Sequence, residues 1–430
     1  MTSFTRQEKS WIAYHVAKSA FALTVSAVIM PIFFKDFASR GIDSTISTAN
    51  WAFGLSAASL CVALLSPILG SIADHKNVKK GFLAFFLFEG ILFTGALVFV
   101  QEGAWFICLV IYILAKIGFS GADMFYNALL VDVTSKKRMD RVSANGFGWG
   151  YIGGVIPFVI CMGIIFIGEG NQGTWESIPV LPAKISFAVA ALWWFVFSLP
   201  LLFNVKQKAS GAPGEKFALL SLNNLSYSFK RLAAHKNILI FLVAYFFYIN
   251  GVHTTIGMAT AYGMEIGLDI DMLILAILMI QIVGFPFALL AGRLTIIFST
   301  KTILYIGITI YSIITILSFA LPSVTDHAIK TIIFWLIAFL IGMSQGGIQA
   351  LSRSYFGRLI PEQNTAWFYS LYNLFRKFAT IIGPLVMGIV ATSSGHSRWG
   401  VLSMLLFFVV GATLLTRVEL VSSGKPGVKM

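Results

Sequence analysis

The sequence predicts an all-α integral membrane protein with twelve transmembrane helices in two six-helix halves. Three observations lead there. Hydrophobic residues make up 57% of the chain and charged residues 11%, against roughly 25% charged in a soluble domain, and the mean hydropathy is positive. The apolar residues gather into twelve runs, each near the ~20 residues that a bilayer requires. The first six runs and the last six echo each other, a mark of internal duplication.

In chain order the runs lie near Trp11–Phe34, Trp51–Ile72, Phe82–Val100, Ala104–Leu130, Phe147–Ile167 and Ile185–Phe203. The second set lies near Ile238–Met258, Leu273–Phe298, Ile303–Leu321, Ile332–Gln349, Ala366–Val390 and Val401–Leu415. In lipid only helices and closed barrels satisfy every backbone group, and these runs are too long for barrel strands. The first run is also too long for the apolar core of a signal peptide. The predicted domains are residues 1–203, a polar central loop at 204–237 with Ala212, Pro213 and Gly214 near its middle, and residues 238–430.

The formal charge is +13. In a soluble chain that excess would point to nucleic acid, but here the basic residues sit in short loops, so none is expected as a partner. Roughly 22 Lys and Arg fall at the termini and even-numbered loops and about 5 on the other side, which predicts cytoplasmic termini. Cys61, Cys108 and Cys161 lie singly inside apolar runs and read as small packing residues.

The most informative stretch runs from Lys116 to Gly154. Lys116, Ser120, Asp123 and Asn127 recur at spacings of four, three and four, which places them on one face of an otherwise apolar helix. A short charged loop is predicted next, with Lys136, Lys137, Arg138, Asp140 and Arg141. A helix with Gly146, Gly150 and Gly154 at small-residue spacing follows, suited to close approach of a neighbour. A polar stripe, a basic loop and a small-residue helix together describe a pathway through a membrane.

The halves match at equivalent places. Asn127-Ala128-Leu129 ends the fourth run and Gln349-Ala350-Leu351 the tenth; Gly70-Ser71-Ile72-Ala73-Asp74 leaves the second and Gly292-Arg293-Leu294-Thr295-Ile296 the eighth. Gly70, Ile72, Ala73, Asp74, Lys79 and Lys80 resemble the loop signature of the major facilitator superfamily, with His75 and Asn77 where that signature has Arg and Gly. Further segments resemble its vacuole-effluxer-like branch, the autophagy-related vacuolar amino-acid effluxers. They are Phe125-Tyr126-Asn127-Ala128-Leu129, Gly150-Tyr151-Ile152-Gly153-Gly154, Gly346 through Ser354, and Tyr372-Asn373 with Lys377 and Gly383-Pro384-Leu385. The resemblance spans nearly the whole chain and implies a twelve-helix permease with a central cavity, alternating access and amino-acid export. The chain departs from the branch at His15 and Lys18, at Asn250 and His253, and at Arg376. Each departure removes negative charge or adds positive charge.

A charge at the bilayer centre costs about 2.5–3.5 kcal/mol on insertion scales, so it calls for a partner or a task. The intramembrane charges Lys18, Glu89, Lys116, Asp123, Arg376 and Lys377 predict a net-positive cavity suited to a carboxylate-bearing solute. Substrate binding is assigned to Lys18, Asn127, Asn250, His253, Gln345, Gln349, Tyr372, Asn373 and Lys377. Proton coupling is assigned to Asp123, His15 and Lys116, since carboxyl and imidazole groups exchange protons. Gating is assigned to Gly70, Asp74, Lys79, Arg141 and Arg353. Plainer readings stand beside these. Lys116 and Asp123 could pair with each other, Arg376 could snorkel to an interface, and Gln281 and the other amides could join helices by hydrogen bonds.

No Walker-type loop, metal-ligand cluster or nucleophile–base pair is present in the sequence, so no cofactor, no metal and no enzymatic activity is expected. The expected partners are the lipid bilayer, a small solute and protons, and the expected state is a monomer in a bacterial inner membrane. Three functions follow from the residues: a secondary active transporter of a small polar solute, an uncoupled or lipid-handling facilitator on the same fold, and a non-transporting receptor or scaffold. The polar stripe favours the first two.

Overall fold

The computed structural model describes residues 3–75, 78–168, 179–208, 232–268 and 270–419. Asn77 and the Ala212-Pro213-Gly214 segment lie outside these. Among the described residues the chain is helical throughout, and twelve helices are long and apolar enough to cross a membrane. The first half comprises α1 (Arg6–Ala38), α2 (Ser44–His75), α3 (Lys79–Ala96), α4 (Trp105–Val133), α5 (Met139–Gly168) and α6 (Val180–Asn204). The second comprises α7 (Lys236–Glu265), α8 (Ile270–Leu294), α9 (Thr300–Ala320), α10 (His327–Leu359), α11 (Thr365–Ser394) and α12 (Ser397–Thr416).

Helix ends follow local chemistry. Thr5 and Glu8 form a reciprocal capping box at the start of α1: Thr5 Oγ1 accepts the Glu8 N–H at 3.2 Å and Glu8 Oε2 accepts the Thr5 N–H at 2.8 Å. Ser299 caps α9 and Asp326 caps α10. The helix α11 is different. Its cap position, Asn364, is left-handed at φ 63° and supplies no side-chain cap.

The sequence places Asp140 and Arg141 in a loop. The structure places both in the first turn of α5, which begins at Met139. That helix starts eight residues earlier than its apolar run because its first turns are polar yet packed inside protein. The helix α1 also differs from a plain span. It widens into π-helical turns at Phe21–Ile29 and Phe34–Ala38, on either side of Pro31. Proline has no N–H to give and clashes with the preceding turn, and a wider turn relieves both.

Glycines let helices touch. A Cβ at Gly118 of α4 would overlap the backbone of Gly90 in α3, and a Cβ at Gly153 of α5 would lie 2.5 Å from Val16 of α1. Between the halves, α2 packs on α11, and α5 packs on α8 and α10. These contacts place the polar face of α4 opposite α11, across the seam.

Candidate functional site

Lys18 lies twelve residues into α1, Asp123 ten residues before the end of α4, and Arg376 eleven residues into α11. At 1.5 Å per residue each is about 15–18 Å from the same end of the bundle, close to the middle of a 30 Å hydrocarbon core. There they meet. Lys18 Nζ donates to Asp123 Oδ1, and Arg376 Nη2 donates to Asp123 Oδ2 at 2.7 Å. Arg376 Nη2 also reaches Asn373 Oδ1 at 3.0 Å, and Asn127 Nδ2 reaches Asp123 Oδ2 at 3.2 Å. One buried carboxylate is therefore shared by a cation from each half.

This arrangement replaces both simple pairings. Lys116 does not pair with Asp123: seven residues along one helix face separate them by about 10 Å. Lys116 Nζ instead donates to Ser26 Oγ of α1 at 2.6 Å, and Ser26 shares a hydrogen bond with Tyr112. Arg376 does not snorkel to an interface but points inward to Asp123. Its neighbour Lys377 donates to Ser120 Oγ of α4 at 3.1 Å.

His15 packs on Phe147 and shares a hydrogen bond between Nδ1 and the Tyr126 hydroxyl at 3.3 Å. Tyr126 also lies under the Lys18 ammonium, 4.9 Å from nitrogen to ring centre. Asn250 is buried on α7 beside Thr254, and a Cβ at Gly383 of α11 would overlap both. Three buried nitrogens, Asn250 Nδ2, His253 Nε2 and Asn373 Nδ2, have no partner among the described residues. Buried polar atoms without partners are uncommon and mark places where a ligand or water would bind. Tyr372 is stacked between Tyr245 and Phe356, which is a packing position. Gln345 and Gln349 are half-buried one turn apart on α10, on the line that leads to Arg353. Glu89 stands apart on α3, half-buried, with Oε2 lacking a partner among the described residues.

From this cluster to the end of the bundle where α4 turns into α5 and α10 into α11, the loop end, the halves are tied by three further groups. Arg353 of α10 is nearest: Nη1 donates to Asn127 Oδ1 at 3.0 Å, and Nε and Nη2 donate to the hydroxyl and carbonyl of Ser143, each at 3.0 Å. Its guanidinium is 4.7 Å from the rings of both Trp11 and Phe147. Next, Asp140 of α5 pairs with Arg358 at 2.8 Å and accepts hydrogen bonds from Thr300 and Ser354. The last group sits at α11. Asp74 accepts the N–H groups of Ala366 and Trp367 at 3.0 and 2.8 Å, supplying from the other half the cap that Asn364 does not. Beside it, buried Lys79 pairs with Asp132 at 2.7 Å and donates to Thr365 at 3.0 Å. A Cβ at Gly70 would come within 2.7 Å of the Ala366 carbonyl. Arg141 lies against the ring of Phe4 at 4.6 Å.

Asp132, Asp140, Ser143 and Arg358 receive no site role from the sequence, which places Asp140 only in a charged loop. Their signal was there: each is polar and lies in the last or first turns of a helix adjoining a charged loop. A separate cavity of about 100 Å³ lies within the second half, lined mainly by apolar residues such as Met258, Ile277, Ile341 and Met404, with Thr254, Thr255, Tyr262 and Ser318 its hydroxyl-bearing members. Its lining carries no charged side chain to meet a charged solute, and the charged groups gather at the seam between the halves, which is the candidate site.

The family model described as "Vacuole effluxer Atg22 like" matches residues 5–135 and 131–426. The MFS-type transporter YxiO of Bacillus subtilis is 39% identical over 422 residues, covering 97% of this chain and 96% of that protein. Autophagy-related protein 22-1 of Aspergillus fumigatus is 28% identical over 69% of this chain, which spans about half of that protein's length (51%). Among solved structures, the major facilitator transporter FucP in its outward conformation superposes with a TM-score of 0.70 at 15% identity, covering 96% of this chain and 98% of that one.

Proposed function

Because the chain belongs to the Atg22-like vacuole effluxer family of major facilitator transporters, we propose that it is a secondary active transporter for a small carboxylate-bearing or amino-acid-like solute. In this reading it works by alternating access and is driven by protons. The observation that carries the proposal is the sharing of Asp123 between Lys18 of its own half and Arg376 of the other.

Alternating access requires the halves to part at one end while they close at the other. Apart from Lys377–Ser120, one residue beyond Arg376, the contacts between the halves described above run from the midplane to the loop end; in this reading the state is closed there and the solute path opens at the opposite end. The excess of Lys and Arg at the termini and loops of the closed end supports a cytoplasmic orientation for it. When the halves part at the loop end, Arg376 leaves with α11 and Asp123 keeps only Lys18. A proton can then take the place of Arg376, and a solute carboxylate can take the place of Asp123 on the guanidinium. Each translocation would thus exchange a proton and an anion around one carboxylate. The same arrangement is consistent with transport in either direction, because the exchange is reversible.

The test is transport by the purified protein in proteoliposomes with an imposed pH gradient, using radiolabelled succinate and alanine. The wild type is expected to accumulate one of them against its gradient. Asp123→Asn keeps the size and loses the titratable group, so it is expected to abolish uphill accumulation while retaining exchange. Uphill accumulation by Asp123→Asn equal to the wild type would remove Asp123 from proton coupling.

A further inference from the structure

Asp123 answers only two of the four cations on the solute path. The other two are Lys116 and Lys377. Among the described residues neither ammonium is paired with a carboxylate; each is held by a serine hydroxyl, Lys116 by Ser26 and Lys377 by Ser120. A hydroxyl is a neutral acceptor that gives up its position readily to a charged one. The two lysines also converge. Ser120, which holds Lys377, lies four residues after Lys116 on the same face of α4, and residues so spaced are neighbours on a helix surface.

Both lysines lie farther from the closed loop end than Asp123 and Arg376 do. Lys116 precedes Asp123 on a helix that runs toward that end, and Lys377 follows Arg376 on a helix that runs away from it. A solute entering from the open end would meet the lysine pair first. Phe21 and Phe119 flank Lys116, each with its ring centre about 6 Å from the ammonium, and would wall this part of the path.

We infer that Lys116 and Lys377 form a second anion subsite, and that the solute is a short dicarboxylate with one carboxylate at this subsite and the other at Lys18 and Arg376. The inference rests on the transport reading above and narrows its substrate. Ser120 is one turn from Asp123 and Lys116 is two, so the two anchors are roughly 5–10 Å apart along α4. That separation suits two carboxylates joined by a few carbons. A zwitterionic amino acid fits less well, because its ammonium would enter a path with four cations and have only Asp123 to answer it. Lys116, assigned to proton coupling from the sequence, becomes an anion ligand in this scheme.

The experiment is calorimetric titration of the full-length protein with succinate, its monoamide succinamate and alanine. Succinamate has the shape of succinate and one charge fewer. The wild type is expected to bind succinate at least about tenfold tighter than succinamate. Lys116→Gln and Lys377→Gln are each expected to bring that ratio within about threefold of unity, and Lys377→Arg to preserve it. Because the readout is a ratio within one preparation, a partial loss of folded protein does not alter it. Equal binding of succinate and succinamate by the wild type, an unchanged ratio in both glutamine variants, or alanine binding as tight as succinate would overturn the subsite. Binding of succinamate or alanine without a preference for succinate removes only the subsite. No binding by any of the three removes the transport reading with it.

Discussion

The two zones that join the halves handle charge in opposite ways. At the loop end, each acid has donors from the other half or its own: Asp74 has two backbone N–H groups, Asp140 has Arg358 and two hydroxyls, and Asp132 has Lys79. In that zone each of these carboxylates is answered from within the protein, although Arg358 Nε has no hydrogen-bond partner among the described residues. At the midplane, four cations face one carboxylate, and two of them rest on serines. The comparison separates a latch from a site. A latch should be self-satisfied so that it closes without help, whereas a binding site keeps unmatched groups for its ligand. Burial strengthens both, since an unmatched charge costs more the farther it lies from water.

The midplane zone is most sensitive at Asp123. Asp123→Leu leaves four midplane cations with no counter-charge, and removing one partner from a buried pair costs about 3–5 kcal/mol. Thermal unfolding in detergent should show the largest loss of any single change proposed here. A variant as stable as the wild type would mean that the midplane charges are already neutralised by something else. Asp140→Asn at the loop end is expected to cost less, about 1.5–3 kcal/mol of the closed state, because one of the two hydroxyls, Thr300 or Ser354, can still donate to the amide oxygen. Cysteine labelling of the loop-end path would report the change as increased access. Asp74→Asn should be milder again, about 1 kcal/mol, since the amide oxygen still accepts one of the two N–H groups, while the charge and the second acceptor are lost. Labelling should rise in the order wild type, Asp74→Asn, Asp140→Asn, and the reverse order would make α11 the stronger latch. The smallest effect belongs to the pair Arg40–Glu102, at 2.8 Å with both side chains more than half exposed. Glu102→Gln should shift the unfolding midpoint by no more than about 0.5 kcal/mol implies. A larger shift would show that exposed ion pairs at the open end stabilise the first half beyond what solvent screening allows.

Much of this architecture is legible in the sequence. The twelve helices follow from run length and hydropathy, and the α4 stripe follows from its spacing, which is a property of one helix alone. Asp123 stood out because a carboxylate inside an apolar run demands an explanation. Its partners did not follow in the same way. Lys18 and Arg376 could be recognised as intramembrane charges, but their meeting at Asp123 depends on how α1 and α11 are rotated and shifted against α4. A helical period does not encode that. Lys116 illustrates the limit, since it shares the stripe with Asp123 and yet bonds to a different helix. The loop-end contacts were harder still. Asp140 read as a loop residue because polar first turns look like loops when hydropathy alone marks the helix. The cap that Asp74 provides joins residues nearly three hundred apart and involves backbone groups that carry no sequence signal.

That last contact has a consequence for how the chain can vary. Asp74 grips the main chain of α11, so the receiving positions, Ala366 and Trp367, can change identity without loosening the grip, provided neither becomes proline. The giving position has no such freedom, because only a short side chain with paired acceptor oxygens reaches both N–H groups. One side of the closure is therefore written in a single residue and the other in no residue at all, and substitutions that tune how readily the halves part should accumulate around α11 while Asp74 stays fixed.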